Sequence, residues 1–258
     1  LYTQNKLGNG VDILTRIIEI SDYNERMKIT EYLNSQNPIK DSYFIANHTI
    51  VRDLQKSLEN KGYYLERQIN EFEYKKYYGD KGFSNLVPIK LENVIQYYVG
   101  YWLDDYASIA KRGKGLLFDK NKIDEILMDI NADRVIEANI MYEKISKIIT
   151  SYRRTRRNEN KTEISDFLNI PHSNFVNDID EYLFINTGDI VILNTVKLLK
   201  DNYKKKNIEF DDDKLIKEAI LLIHKKIMDN YPDEVRNISA LTKNTKLFKE
   251  IKQCIEKI

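Results

Sequence analysis

The chain has 258 residues, with 41 Lys and Arg against 40 Asp and Glu, and a net charge of +1. That balance excludes a global field able to gather nucleic acid or an anionic membrane, so any basic site must be local. One cysteine and three scattered histidines exclude a disulfide framework and a cysteine- or histidine-built metal site, and no apolar run reaches the roughly 18 residues of a membrane span.

The length suits one large or two small domains with a proper core. Only 9 Gly and 4 Pro stand among many Lys, Glu, Ile and Leu, so a mainly helical protein is expected. The cysteine usage fits a reducing cytoplasm. Leu1 to Gly10 reads as a loop, and Val11 to Ile20 as a buried strand, short, rich in Ile and bounded by turn residues. A helix follows, with Asp22 as its cap, Glu25 at the capping-box spacing and Met27, Ile29 and Leu33 on its apolar side. It ends at Asn34-Ser35-Gln36-Asn37-Pro38, where proline disfavours helix at Asn37 and the turn displays four adjacent polar residues. Such a turn suits a ligand; the plainer alternative is a helix C-cap whose Asn and Ser bond their own backbone.

Asn47 is a good N-cap for a helix from His48 to about Asn60, with Ile50, Val51, Leu54 and Leu58 on one side. Gly62 is placed to end it in the left-handed conformation. Tyr63 to Tyr74 alternates as an extended segment or hairpin arm. Glu66 and Arg67, adjacent on a strand, would point to opposite faces, so at most one of them would face a site over the sheet. Arg67 is the better contact for phosphate or carboxylate because its planar fork bonds two oxygens at once; a plain ion pair is the alternative. Glu71, Glu73 and Lys75 form an E-x-E-x-K run, but no upstream carboxylates are seen to complete a metal nuclease site.

The order of these pieces resembles the AIPR family of bacterial abortive-infection phage-resistance proteins. The motifs that carry the resemblance are the Asn-Ser-Gln-Asn-Pro-Ile turn at Asn34 to Ile39 and the run Gly-Tyr-Tyr-Leu-Glu-Arg at Gly62 to Arg67. The likeness covers roughly residues 11 to 118 and thins to helical pattern beyond, judged by motif order. It implies a relative of ParB-like nucleotide-binding proteins, a nucleotide as the ligand of the full-length protein, and Asn34, Ser35, Gln36, Asn37 and Arg67 as its contacts. The family's upstream Asp/Asn-Gly-x-Gln loop is missing, since Asn9-Gly10-Val11-Asp12 lacks the glutamine. With no initiator Met and an opening in mid-loop, the chain reads as a carboxy-terminal fragment, and the absent N-terminal part is an expected partner.

From Val87 onward a helical bundle is expected. Pro88 precedes a long helix in which Leu91, Val94, Ile95, Tyr98, Val99, Trp102, Tyr106 and Ile109 keep helical spacing, a stripe read as core. It stops at Lys111-Arg112-Gly113-Lys114-Gly115, too short for a phosphate loop. Residues 122 to 152 read as helix, with a break near Asn131-Ala132-Asp133. Then come Arg153, Arg154, Arg156 and Arg157, four arginines in five residues where a helix ends. They read either as phosphate contacts to nucleic acid, with the Lys111 loop as a companion contact, or as a solvated helix end favoured by the dipole. Helices are expected over Ser173 to Asn186 and Asp189 to Asn202, and a third after Asp211-Asp212-Asp213, a cap because three consecutive aspartates cannot serve as an EF-hand loop. Leu247, Ile251, Cys254, Ile255 and Ile258 make a last amphipathic helix with Cys254 in the core.

The expected fold is mainly α, a small α+β portion over residues 1–86, the remnant of a ParB-like nucleotide-binding domain, followed by an all-helical portion over 87–258. Two functions stay open. One is a nucleotide-responsive or nucleic-acid-sensing effector of phage defence; the other is a non-enzymatic nucleic-acid-binding or assembly module, with a second copy of the chain as a further partner class. No paired carboxylates, nucleophile with base, or metal cluster passes the checklist for a catalytic site, so no cofactor and no NTP turnover are expected of the chain alone.

Overall fold

The computed structural model describes residues 42, 45–78, 83–112, 117–158, 164–169, 189–231 and 238–257, with single positions at 19, 22 and 25. The chain divides into two compact units, residues 1–39 and 40–258. In the first, the Asp22 Oδ1 accepts the amide of Glu25 at 2.8 Å, the cap bond the sequence proposes. Glu19 is in no regular element. The rest of the proposed Val11 to Ile20 strand, the helix side of Met27, Ile29 and Leu33, and the Asn34 to Asn37 turn lie outside the described residues, as does Ser173 to Asn186.

The second unit opens with helix α1, Thr49–Glu59. Its cap is His48 rather than Asn47, because His48 Nδ1 accepts from the Ile50 amide at 3.3 Å. Val51, Leu54 and Leu58 are buried on its inner side. Gly62 takes the left-handed φ of +85° that glycine alone adopts freely, and turns the chain into strand β1, Tyr63–Glu66. The extended segment is only four residues long. Instead of running on to Tyr74, the chain turns at Asn70, with φ +60°, and forms helix α2, Glu71–Tyr78. E-F-E-Y alternates like a strand, but two acids in the first turn suit a helix start, and Phe72 and Lys75, three residues apart, then share the inner face.

Val87–Lys90 is also a strand, β2, where the sequence leads straight into a bundle. It pairs in parallel with β1 in the register Tyr63↔Val87 to Glu66↔Lys90. Leu65 and Ile89, opposite one another, join the main core. Tyr64 faces the other way and meets Phe72 and Phe83 at ring separations of 5.5 and 5.0 Å. Pro88 lacks an amide hydrogen, which fits a strand at an edge. The side of β1 away from β2 is closed where Gln55 Nε2 donates to the Leu65 carbonyl at 3.2 Å.

Helix α3, Leu91–Trp102, starts directly from β2 and buries Leu91, Val94, Ile95, Tyr98 and Val99, as its stripe foretells. It does not reach Ile109. Leu103 leaves helical geometry at φ −112° and ψ 82°, a 3-10 turn spans Asp104–Tyr106, and α4 follows at Ala107–Arg112. Next come α5, Lys120–Leu127, and α6, Ala132–Asn158, separated at Asn131, whose Oδ1 caps α6 through the Arg134 amide at 3.0 Å. The expected break is there, and α6 then runs six residues past 152, through the arginines. A short helix α7 covers Ile164–Leu168.

Helix α8, Asp189–Lys206, is the axis of the bundle: α3, α4, α6, α9 (Asp212–Asn230) and α11 (Thr245–Lys257) all pack on it. Its first turns, from Ile190 to Val196, are buried at every position, so the helix has no solvent face there. It crosses α3 at Gly100, where an added Cβ would lie 3.1 Å from Ile190 Cγ2. Asp211 caps α9 by accepting from the Lys214 amide at 2.7 Å, and Ile216, Ala219, Ile220, Ile223 and Ile227 are buried along it. Helix α10 is a single turn, Ile238–Leu241. In α11 Leu247, Phe248, Ile251 and Ile255 fill the core, while Cys254 is half-buried at the margin instead of inside it.

Candidate functional site

The two parallel strands end side by side at Glu66 and Lys90, and past their carboxyl ends the second unit opens into a cleft of about 250 Å³. Clefts outside the carboxyl ends of parallel strands recur as ligand sites in α/β proteins because the strands stop there and helices begin. One wall is the run 66–70 that leaves β1; another is Lys90, Leu91 and Glu92, where β2 becomes α3; Ser42 contributes the third. Ser42 Oγ donates to Glu92 Oε1 at 2.9 Å, tying the segment before α1 to the start of α3.

Arg67 and Glu66 both line the cleft. Adjacent strand residues do diverge to opposite faces, but the site lies beyond the end of β1, not over its face, and Arg67 is already past the last paired residue. The guanidinium of Arg67 is held from two sides: Nη1 donates to the Ala46 carbonyl at 3.0 Å, and Nη2 lies 3.4 Å from Glu71 Oε1. Its Nε is buried and has no acceptor among the described residues. Arginine carries five N–H donors, and the contacts to Ala46 and Glu71 engage only part of them.

Glu71 organises the turn. Its Oε2 accepts the backbone amide of Arg67 at 2.9 Å, and its Oε1 also meets Lys75 Nζ at 3.3 Å. Burial alone would raise the Glu71 carboxyl. The Arg67 amide, the nearby Tyr64 hydroxyl and the charges of Arg67 and Lys75 outweigh burial and hold it below its ordinary value. Lys75 Nζ also sits 5.0 Å from the centre of the Tyr64 ring and 5.7 Å from that of Phe83. The Tyr64 hydroxyl, buried beneath, lies close enough to feel both charges yet makes no hydrogen bond of normal geometry among the described residues. The E-x-E-x-K run is therefore a helical brace: Glu71 and Lys75 pair at i, i+4, and Glu73 is exposed. Among the described residues no group of three or more His, Cys, Asp or Glu is arranged to hold a metal ion.

Of the other sites proposed from sequence, Asn34, Ser35, Gln36 and Asn37 lie outside the described residues. The arginine cluster occupies the last turns of α6; Arg153 is half-buried, while Arg154 and Arg157 are exposed. Lys111 is not available as a companion contact, because its Nζ is paired with Asp189 Oδ1 at 2.9 Å and its side chain is 8% exposed. The Tyr142 hydroxyl donates to the same aspartate at 3.0 Å, beneath a stack of Tyr97 on Tyr142 with ring centres 3.6 Å apart. Burial on its own would raise Asp189; the Lys111 charge and these donors bring it below its ordinary value. Sequence reasoning missed Lys90 and Glu92 because β2 was read as the approach to a helix. A βα junction was legible there: V-P-I-K, then an apolar helical stripe.

A family model described as AIPR protein matches residues 1–257, well beyond the stretch whose motifs carry the resemblance. No curated protein and no solved structure matches the chain.

Proposed function

The chain belongs to the AIPR family, that of abortive-infection phage-resistance proteins, and from that premise we propose that it is a nucleotide-responsive effector whose ligand sits in the cleft at the ends of β1 and β2. The observation that carries this reading is that Arg67, the last residue of the family run Gly62 to Arg67, lines that cleft together with Lys90. A planar guanidinium fork is suited to a phosphate oxygen, and Lys90 adds a second cation in the same lining. Glu66, cross-strand from Lys90, provides an acceptor for hydroxyl groups of the same ligand. The volume lies just under the range of about 300–1,000 Å³ usual for drug-sized ligands, which favours a single nucleotide over a dinucleotide. The ligand role of Asn34, Ser35, Gln36 and Asn37 is proposed on the family motif alone. α3 leaves the cleft wall and runs into the bundle axis, which gives the helical part a route to sense occupancy.

Equilibrium titration of the chain with nucleoside mono- and triphosphates, followed by the fluorescence of its one tryptophan, Trp102, and by calorimetry, tests the proposal. Arg67→Lys should weaken binding about tenfold or more, because an ammonium cannot replace the fork. Absence of binding at millimolar nucleotide, or equal affinity in Arg67→Lys, sinks it. In the alternative reading, a nucleic-acid-binding module, Arg153, Arg154, Arg156 and Arg157 at the end of α6 are the phosphate contacts, two of them, Arg154 and Arg157, exposed.

A further inference from the structure

The carboxyl half of α6 carries charge of one sign. From Lys144 to Asn158 it holds Lys144, Lys147, Arg153, Arg154, Arg156 and Arg157 and no Asp or Glu, in a chain whose net charge is +1. The core side of the helix is apolar: Met141, Ile145, Ile149 and Tyr152 are buried at steps of four, four and three. On the opposite side Lys147, Thr150, Ser151, Arg154 and Arg157 are exposed and fall in one row. Lys144, at the flank of the row, is engaged by Asp212 at the start of α9. Lys147, Arg154 and Arg157 make no ion pair among the described residues. The helix dipole favours cations only in the last turn, and Lys147 stands three turns back, about 16 Å from the end of α6. A solvated helix face usually mixes signs in i, i+4 pairs. Neither accounts for a row of cations separated by hydroxyls.

We infer that this row is a docking face for duplex nucleic acid, held through the phosphates of its backbone. The inference rests on the nucleic-acid reading above, which it extends from the arginine run to a helix face, and it is independent of what the cleft holds. Lys147 and Arg157 lie about 15 Å apart along the axis, a length that about four successive phosphates of one strand would span. The Thr150 and Ser151 hydroxyls between the cations are of the kind that contact phosphate oxygens. The row carries no aromatic side chain, since Tyr152, the one aromatic residue between Lys144 and Asn158, is 1% exposed. The bases of a single strand would therefore have nothing to stack on. A duplex keeps its bases covered and presents one negative charge per about 1.7 Å of its length, which is what a face built of cations and hydroxyls can use.

The test is fluorescence anisotropy of the full 258-residue chain with a fluorescein-labelled DNA duplex across a salt series. The expected log–log slope is about −2.7, from three phosphates at about 0.9 each. Lys147→Gln keeps a good helix former at an exposed position; it should weaken the duplex about tenfold at about 50 mM salt and flatten the slope by about 0.9. Lys205→Gln, at an exposed lysine near the end of α8, should change neither, and circular dichroism should show both variants as helical as the parent. Equal losses in the two variants overturn the inference, as does polyglutamate that competes as well as the duplex. A single strand of the same sequence binding as tightly overturns the duplex and leaves the nucleic-acid reading standing. Affinity that falls with Arg154→Ser, Arg157→Ser but not with Lys147→Gln overturns the row and keeps the arginine end as the contact. A duplex that does not bind the parent even at low salt overturns both the inference and the reading it rests on.

Discussion

Removing the Glu71 carboxylate should loosen the cleft wall and cost stability in proportion to what it holds. Glu71→Ala leaves the Arg67 amide without its 2.9 Å acceptor and takes the counter-charge from a guanidinium whose side chain is 19% exposed. Breaking a buried pair costs about 3–5 kcal/mol, but here the guanidinium keeps the Ala46 carbonyl and its contact with Glu71 is long, at 3.4 Å. About 2–3 kcal/mol is the reasoned loss, the sum of one charged hydrogen bond and a reduced ion-pair contribution. Glu71→Gln retains an acceptor for the amide and should lose about half as much. Because the folded carboxyl lies below its ordinary 4.5, its contribution is complete above that value and disappears as the pH falls through the lower folded value. Urea denaturation at neutral pH, read by Trp102 fluorescence and helical circular dichroism, should show the loss, and the gap between parent and variant should narrow, to what the acceptor of the protonated carboxyl still contributes, as the pH falls through the lowered folded value. A variant within about 0.5 kcal/mol of the parent at neutral pH, or a gap that does not narrow in acid, refutes this account of Glu71.

Gly100→Ala sets about 1 kcal/mol of gained helix propensity against an overpacking cost of about 1–3 kcal/mol. The 3.1 Å approach to Ile190 Cγ2, on a side chain stiff at χ1, makes the net change destabilising. Thermal melts should show Ile190→Leu, which removes that methyl, partly rescuing it; additive effects would refute the contact as the cause. Replacing Arg153, Arg154, Arg156 and Arg157 with Ser should weaken nucleic-acid binding and flatten its salt dependence, by about 0.7 in log–log slope for each single-strand phosphate no longer neutralised. Affinity unchanged across a salt series leaves them as a solvated helix end.

What was legible in the sequence was what local chemistry decides. Asp22, Gly62 and Asp211 do what their residue types favour, a cap, a left-handed turn and a cap. The stripes of α3, α9 and α11 point inward because their spacing is that of the helix. The central place of α8 was present too, in a run apolar all round from Ile190 to Leu193, but a helix without a polar face gives no moment to direct it. Where two local signals compete, tertiary contacts decide. Leu103 ends α3 although the apolar spacing continues past it, and the chain re-enters helix only after the Asp104–Tyr106 turn. His48 displaces Asn47 as a cap, its ring nitrogen lying on the Ile50 amide.

The cleft was the harder part because its residues are made neighbours by strand pairing, which local sequence does not record. Arg67 was singled out for its chemistry, but its partners Ala46 and Glu71 and its opposite cation Lys90 come from a loop, a helix and a second strand. The strand itself is short because Glu71 reaches back to the Arg67 amide: that bond closes the turn 67–71, starts α2 and leaves Arg67 at the mouth of the site instead of on a sheet face. One carboxylate thus accounts for both misreadings, the length of β1 and the fate of the Glu66–Arg67 pair. It also explains why α2 keeps an exposed outer side. Glu71, Phe72 and Lys75 satisfy the inner face with charge and aromatic contacts, so at helical spacing Tyr74 and Tyr77 fall on the exposed side.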